Sequence, residues 1–534
     1  MKHRTQRKET TKSKLSKGLV ALLVVTALLG TSPALAASAD KPVRGGTVTV
    51  IAAEPPTMNP TTWGNGAIVG GAGAQVYGAL VYQDVLTKNE EPSMLKSWSV
   101  SPDATTYTLK LHPNMKFTDG TPLNSAAIKA NFDWHAAPES RSVGIDSARQ
   151  VVSVDTSDPL VAKVTLNTPD AAWIYNVNDR LSNMVSPAAI AKFGSAYGTS
   201  VDKVVGAGPF VLTEWTRGSQ MVFERNPNYW DAPRPYLDKV IIKFIADPAA
   251  AQNTLLTRGA DYGAVSSSDA KSQYEAAGMK FVPSRLDNFT NHTMYQFNFM
   301  RPPFNDIDAR RAVVAALDPK KIAAAQGGEV SKGITETDSP WYSKLGLFPK
   351  FDRDKAQKLI NAWSQKNGGT PLEFTITSTG SGAGLGGDAE VIQAALAGYQ
   401  NLKVNVQFIP SSQVVTLGQS GNFDLYPSAL GGFEPSGTLR TKLFTNAGRN
   451  YGKYSSPEMD AALVAGDTTG IEAERVKEYG KVQQLILRDL PMWVIPYRPA
   501  LPPLAVITNK SFHYTGGGLT MMLNTATSWM GKKP

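Results

Sequence analysis

The residues able to do covalent or metal chemistry are few and scattered in this chain. It contains no cysteine, which excludes disulfides, thiolate metal sites and a cysteine nucleophile together. Outside the first residues its histidines are His112, His135, His292 and His513, with no pair at metal-ligand spacing, so a catalytic zinc has no support. No Gly-x-Ser-x-Gly elbow is present, which argues against a serine hydrolase of that type. The run Gly382-Ala383-Gly384-Leu385-Gly386-Gly387 stands between a strand expected over Leu372–Thr377 and a helix expected over Asp388–Gly398, the setting a dinucleotide loop needs. The following strand, Lys403 to Phe408, ends without the acidic residue that would hold a ribose, so the run reads as a βα loop. What remains is binding chemistry, with no catalytic residue, no metal site and no cofactor expected.

The first residues explain the charge. Lys2, Arg4, Arg7, Lys8, Lys12, Lys14 and Lys17 face a single acid, Glu9, and the apolar run Leu19–Leu29 follows. Ser32-Pro33-Ala34-Leu35-Ala36-Ala37 then offers small residues for a signal-peptidase cut after Ala36. The alternative is a retained N-terminal anchor. Removing those seven basic residues and one acid takes the formal charge from +9 to +3, so the basicity belongs mostly to the targeting segment and nucleic acid loses its support as a partner. Thr31 follows Leu28-Leu29-Gly30 where a lipidated cysteine would stand. The expected location is extracytoplasmic.

At 534 residues, the chain is too long for one ordinary core. Thr47–Ile51 reads as a strand, closed by the turn Glu54–Pro60. Trp98–Val100 and Tyr107–Leu111 read as paired strands, Thr118–Pro122 as a turn, and Ser125 as the cap of a helix through Trp134. A hairpin into Met221–Arg225, a strand over Lys239–Ile245 and a helix over Pro248–Thr257 follow. Beyond a strand at Met294–Phe299 and a helix across Ala309–Leu317, βα units continue to about Tyr497. This alternation implies mixed or parallel sheets covered by helices. Crossings between lobes are expected around Asn291–Arg301 and Pro496–Pro503.

Several blocks in order carry a resemblance. They are Glu91–Trp98 with Ser101-Pro102-Asp103 and Met115–Pro122; Gly206–Phe210 with Glu224–Trp230; Pro302–Asp306 with Arg310-Arg311; and Tyr454–Asp460 with Gln483–Trp493. Together they resemble the extracytoplasmic solute-binding proteins of family 5, the oligopeptide-, dipeptide- and nickel-binding components of ABC importers. The resemblance implies an α/β, two-lobe periplasmic-binding-protein-like fold of the large class, with an extra subdomain in lobe 1 and two crossover strands as a hinge. The corresponding ranges are 1–36 for the signal peptide, 37–300 for lobe 1 with the subdomain at about 80–200, 301–496 for lobe 2, and 497–534 for the return to lobe 1. The signature turn Asp119–Pro122 and the pair Tyr229-Trp230 read as structural.

By the same resemblance, ligand contacts fall on Trp63, Gly64, Asn65 and Gly66 of the first lobe, on Gln296 in the hinge, and on Gly431, Gly432, Phe433 and Glu434 of the second lobe. Glycines at such places let a backbone approach a ligand closely. Peptide binders of this type place an aspartate near here to pair with the ligand's ammonium, whereas this chain has Gly431 or Gly432 there and Glu434 as the nearest acid. A buried ammonium without a carboxylate is costly, so blocked peptides, an oligosaccharide, a metal chelate or another polar solute stand beside a free peptide as expected ligands. The expected partners are that ligand and transmembrane permease subunits, with the protein a monomer. The rival reading is an extracytoplasmic hydrolase using paired carboxylates, which leave no fixed spacing in a sequence.

Overall fold

The computed structural model describes residues 41–62, 69–83, 90–283, 292–325, 328–335, 337, 339–343, 351–379, 388–410, 413–430, 434–499, 504–513 and 525–531. The β-branched segment Thr47–Ala52 sits at the centre of a seven-stranded sheet, parallel to Lys239–Phe244 on one side and to Tyr262–Ala264 on the other. Antiparallel strands complete it. Gln220–Arg225 and Phe210–Thr216 extend one edge, and Leu504–Ile507 with Lys280–Pro283 extend the other. Val48, Val50, Val240, Ile242 and Phe223 point into one buried cluster with Tyr77, Phe210 and Leu237. The strand near the C-terminus thus closes a sheet begun at the N-terminal end of the described chain.

A four-stranded antiparallel sheet, in the order Leu95–Val100, Thr106–Leu111, Val161–Leu166, Val151–Asp158, forms a second unit. Strict alternation in Thr106–Leu111 buries Tyr107, Leu109 and Leu111 against Phe132, Trp173 and Leu181. Helix Ser125–Ala136 covers it, and its N-cap is Asn124 rather than the expected Ser125: Ala127 N donates to Asn124 Oδ1 at 3.0 Å. The Ser125 hydroxyl instead donates to the Asp158 carbonyl at 2.8 Å, tying the helix start to a strand end. The turn at Asp119 forms as expected, with Thr121 N donating to Asp119 Oδ1 at 3.0 Å and Gly120 at φ 85°. Trp230 packs against this unit's core and stacks on His112 with ring centroids 4.6 Å apart.

A five-stranded sheet organises the rest, in the order Leu402–Phe408, Leu372–Ser378, Leu425–Leu430, His292–Phe297, Met492–Val494. Leu372–Ser378 runs parallel to both of its neighbours, while His292–Phe297 is antiparallel to both of its own. One face packs on helices Ile307–Ala316, Arg353–Lys366 and Ala389–Leu396, and the other on Pro457–Asp467 and Glu472–Asp489. The glycine run at 382–387 lies outside the described residues. Pro283 ends the first sheet and His292 begins the five-stranded one; the chain is back in the first sheet at Leu504. Among the described residues no helix is long and apolar enough to cross a membrane.

Candidate functional site

The four-stranded unit and the unit built on the five-stranded sheet face each other across a cavity of about 280 Å³. Asp146, Arg149, Gln150, Asn167, Asp170 and Asn176 line one side, and Ser436, Arg440, Thr441, Phe444 and Ala447 the other. Small-molecule sites commonly span roughly 300–1,000 Å³, so this volume suits a ligand at the small end of that range. Both walls carry polar side chains, and the Ser436 hydroxyl is buried at its wall with no hydrogen-bond partner among the described residues.

Local structure fixes the first wall. Strand Val161–Leu166 ends in a turn where Asp170 N donates to the Ala104 carbonyl at 2.9 Å and the Tyr107 hydroxyl donates to the Asp170 carbonyl at 2.7 Å. The Asp170 carboxyl accepts from Ala172 N at 2.9 Å and from Gln150 Nε2 at 3.2 Å. The second wall comes from helix ends. Asp467 is the last residue of Pro457–Asp467, fully buried, and takes the Arg440 guanidinium on one oxygen and the Tyr479 hydroxyl on the other. Arg475 pairs with Glu434, with Nη1 3.2 Å from Oε2, and its Nε donates to the Gly466 carbonyl at 2.9 Å. Its guanidinium also lies 5.0 Å from the Trp341 ring centroid.

The two walls touch. Ala171 N donates to the Asp467 carbonyl at 2.6 Å, and a Cβ on Gly437 or Gly448 would stand 2.8 Å from Asn176 Oδ1 or 2.6 Å from Asp146 Oδ2 respectively. Buried charge survives only when paired. Here Arg440 is committed to Asp467 and Arg475 to Glu434, while Asp170 receives neutral donors. Burial, and then the neighbouring Asp467, push the Asp170 carboxyl up to about 7. Burial also raises Glu434, against the lowering effect of Arg475.

Of the residues expected to contact a ligand, Trp63, Gly64, Asn65, Gly66, Gly431, Gly432 and Phe433 lie outside the described residues. Gln296 sits within strand His292–Phe297, buried; its Nε2 donates to the Arg449 carbonyl at 3.0 Å and its Oε1 accepts from Gly452 N at 3.2 Å. Glu434 is buried against Arg475 and also accepts from Ser436 N at 3.4 Å. These two side chains therefore engage different protein partners. The scattered histidines have structural surroundings: His135 Nδ1 lies 2.6 Å from the Ser142 hydroxyl and burial lowers its pKa to about 4, while His513 stacks on Trp529. Asp170, Asp467, Arg440 and Arg475 were not anticipated. One signal was available, since Arg475 shares a helix face with the buried Tyr479, Val482 and Ile486, and a charge on an apolar stripe asks for a buried partner.

Residues 89–451 match the description of bacterial extracellular solute-binding proteins, family 5 (middle). The chain belongs to that family. The glutathione-binding protein GsiB of Escherichia coli (strain K12) is 26% identical over 504 residues, covering 89% of this chain and 92% of the relative. Among solved structures, the oligopeptide-binding protein AppA from Bacillus subtilis, in complex with a nonapeptide, superposes with a TM-score of 0.76 at 22% identity, covering 92% of this chain and all of that one. AgaA of A. tumefaciens R10, in complex with agropinic acid, superposes with a TM-score of 0.77 at 22% identity over 92% of this chain and 99% of that one. The fold is thus the two-lobe α/β fold of periplasmic binding proteins, and these family relatives are named for what they bind.

Proposed function

We propose that this protein is the extracytoplasmic substrate-binding component of an ABC importer, holding a short peptide or peptide-like solute between its lobes and delivering it to the permease. The observation that carries this is a cavity of about 280 Å³ walled by side chains from two parts of the chain built on different sheets, within a family of solute-binding proteins. Relatives that bind glutathione and short peptides support a ligand of that chemistry. Lobe 1 comprises the seven-stranded and four-stranded sheets and the C-terminal return, and lobe 2 the five-stranded sheet. We put the crossings between the lobes after Pro283 and before Leu504, because the chain leaves the first sheet at the one and rejoins it at the other. Export after cleavage at Ala36, and action as a monomer without catalysis, complete the reading.

Within the cleft, Trp63–Gly66 and Gly431–Phe433 are the proposed contacting loops. The partners of Gln296 are the backbone at 449 and 452, and the partner of Glu434 is Arg475. Because Arg475 already balances Glu434, this pair adds no net charge for a ligand ammonium, which favours a solute recognised through its backbone amides. Calorimetric titration of the mature protein with glutathione, a neutral dipeptide and a neutral oligosaccharide tests the reading. Saturable 1:1 binding of a peptide supports it; binding of the sugar alone would overturn the peptide assignment.

A further inference from the structure

The contact between the lobes is built on an uneven set of buried charges. Lobe 1 brings Asp170 and lobe 2 brings Asp467, both fully buried and joined through the bond from Ala171 N to the Asp467 carbonyl. The groups around them are Arg440 and the Tyr479 hydroxyl on Asp467, the Glu434–Arg475 pair behind, the Tyr107 hydroxyl on the Asp170 carbonyl, and Asp146 with Arg149 on the lobe 1 wall of the same cavity. Among the described residues Arg440 and Arg475 are committed to carboxylates of lobe 2 and the Arg149 guanidinium of lobe 1 donates to the Ala136 carbonyl at 3.3 Å, leaving Asp170 with a backbone N–H and the Gln150 amide. Two buried carboxylates at one contact, with the Arg440 guanidinium committed to Asp467 alone, cannot both stay ionised without cost.

We propose that closing the lobes takes up one proton, held on the Asp170 carboxyl, so that solute capture is favoured at acidic pH and release as the pH rises. This rests on the reading of the protein as a two-lobe solute binder. Opening removes Asp467 and Arg440 from Asp170 and returns its carboxyl to water, where an aspartate titrates near about 3.9. In the closed arrangement burial and Asp467 hold it at about 7. The closed state therefore binds the proton more tightly. Below about pH 4 closure is insensitive to pH; between about 4 and 7 each unit makes it up to about tenfold less favourable; above that it levels off.

The absence of cysteine allows clean spin labelling of the whole mature chain at the exposed positions Asp155→Cys in lobe 1 and Lys477→Cys in lobe 2. Inter-label distances by pulsed electron resonance, taken from about pH 4.5 to 8.5, report the closed fraction. Gly448→Trp supplies the open standard, since a side chain there meets Asp146. We expect the wild-type closed-to-open ratio to fall at least about tenfold between pH 5 and 7, and Asp170→Asn to remove that dependence. Infrared titration gives a second readout that needs no change at Asp170: a buried carboxyl protonated near neutral pH in the wild type and missing in Gly448→Trp. A wild-type distance distribution that differs from Gly448→Trp but ignores pH overturns the proton link and leaves the two-lobe reading standing. A pH dependence that persists in Asp170→Asn, or an infrared titration shared by the open standard, also overturns the link. Identical distances in wild type and Gly448→Trp at every pH would remove the two-lobe reading itself.

Discussion

Glu434 and Arg475 show how one residue's environment sets its task. The carboxylate is buried, and the guanidinium that meets it is also held by the Gly466 carbonyl and the face of Trp341. Removing one partner strands a charge, whereas replacing both with apolar groups of similar volume does not. Glu434→Gln should therefore lower stability by about 3–5 kcal/mol, and Glu434→Leu with Arg475→Met should recover most of that loss. Urea unfolding of the two proteins checks it; a loss of ligand affinity in Glu434→Gln at unchanged stability would make Glu434 a ligand contact instead. Gln296 allows a milder test. Its amide satisfies the Arg449 carbonyl and Gly452 N, and Gln296→Leu should cost about 1–3 kcal/mol in the same assay by leaving both groups buried and unpaired. Unchanged stability would release Gln296 for a role at the ligand.

At the scale of elements, local patterns in the chain were good guides wherever local physics decides. Strands Thr47–Ala52, Thr106–Leu111 and Leu372–Ser378 follow β-branched or alternating runs, and the turn at Asp119 follows from its own side-chain and glycine chemistry. The cap at Asn124 was missed by one residue because Asn and Ser are both good caps, and only the tertiary contact of Ser125 with Asp158 separates them. Asn124→Ala should thus cost about 1 kcal/mol through the helix start, read from the urea midpoint, while a larger loss in Ser125→Ala alone would reverse the assignment. The strand at His292–Phe297 was readable as a strand, but its sheet was not, since pairing with 425–430 and 492–494 depends on residues more than a hundred positions away. The contact of Asp170 with Asp467 is less legible still. No spacing rule links residues so distant; the one trace is a charged residue on the apolar face of helix Glu472–Asp489.

For the whole molecule, the fold gives the two lobes separate cores and places polar side chains from both in the cavity where they meet. Such an arrangement suits the holding of a small solute between lobes. The resemblance in the ordered sequence blocks carried family and fold, since those blocks encode turns and core contacts such as Asp119 and Trp230. It said less about the ligand, whose recognition depends on loops that differ from one binder to the next. The central claim is capture of one intact solute between the lobes. The most direct measurement is native mass spectrometry of mature protein, stripped of ligand by unfolding and refolding, then mixed with glutathione and a library of di- to pentapeptides. The account predicts one bound molecule per protein, recovered chemically unchanged, and loss of that complex in Gly448→Trp; shortened products, or binding undiminished in Gly448→Trp, would contradict it.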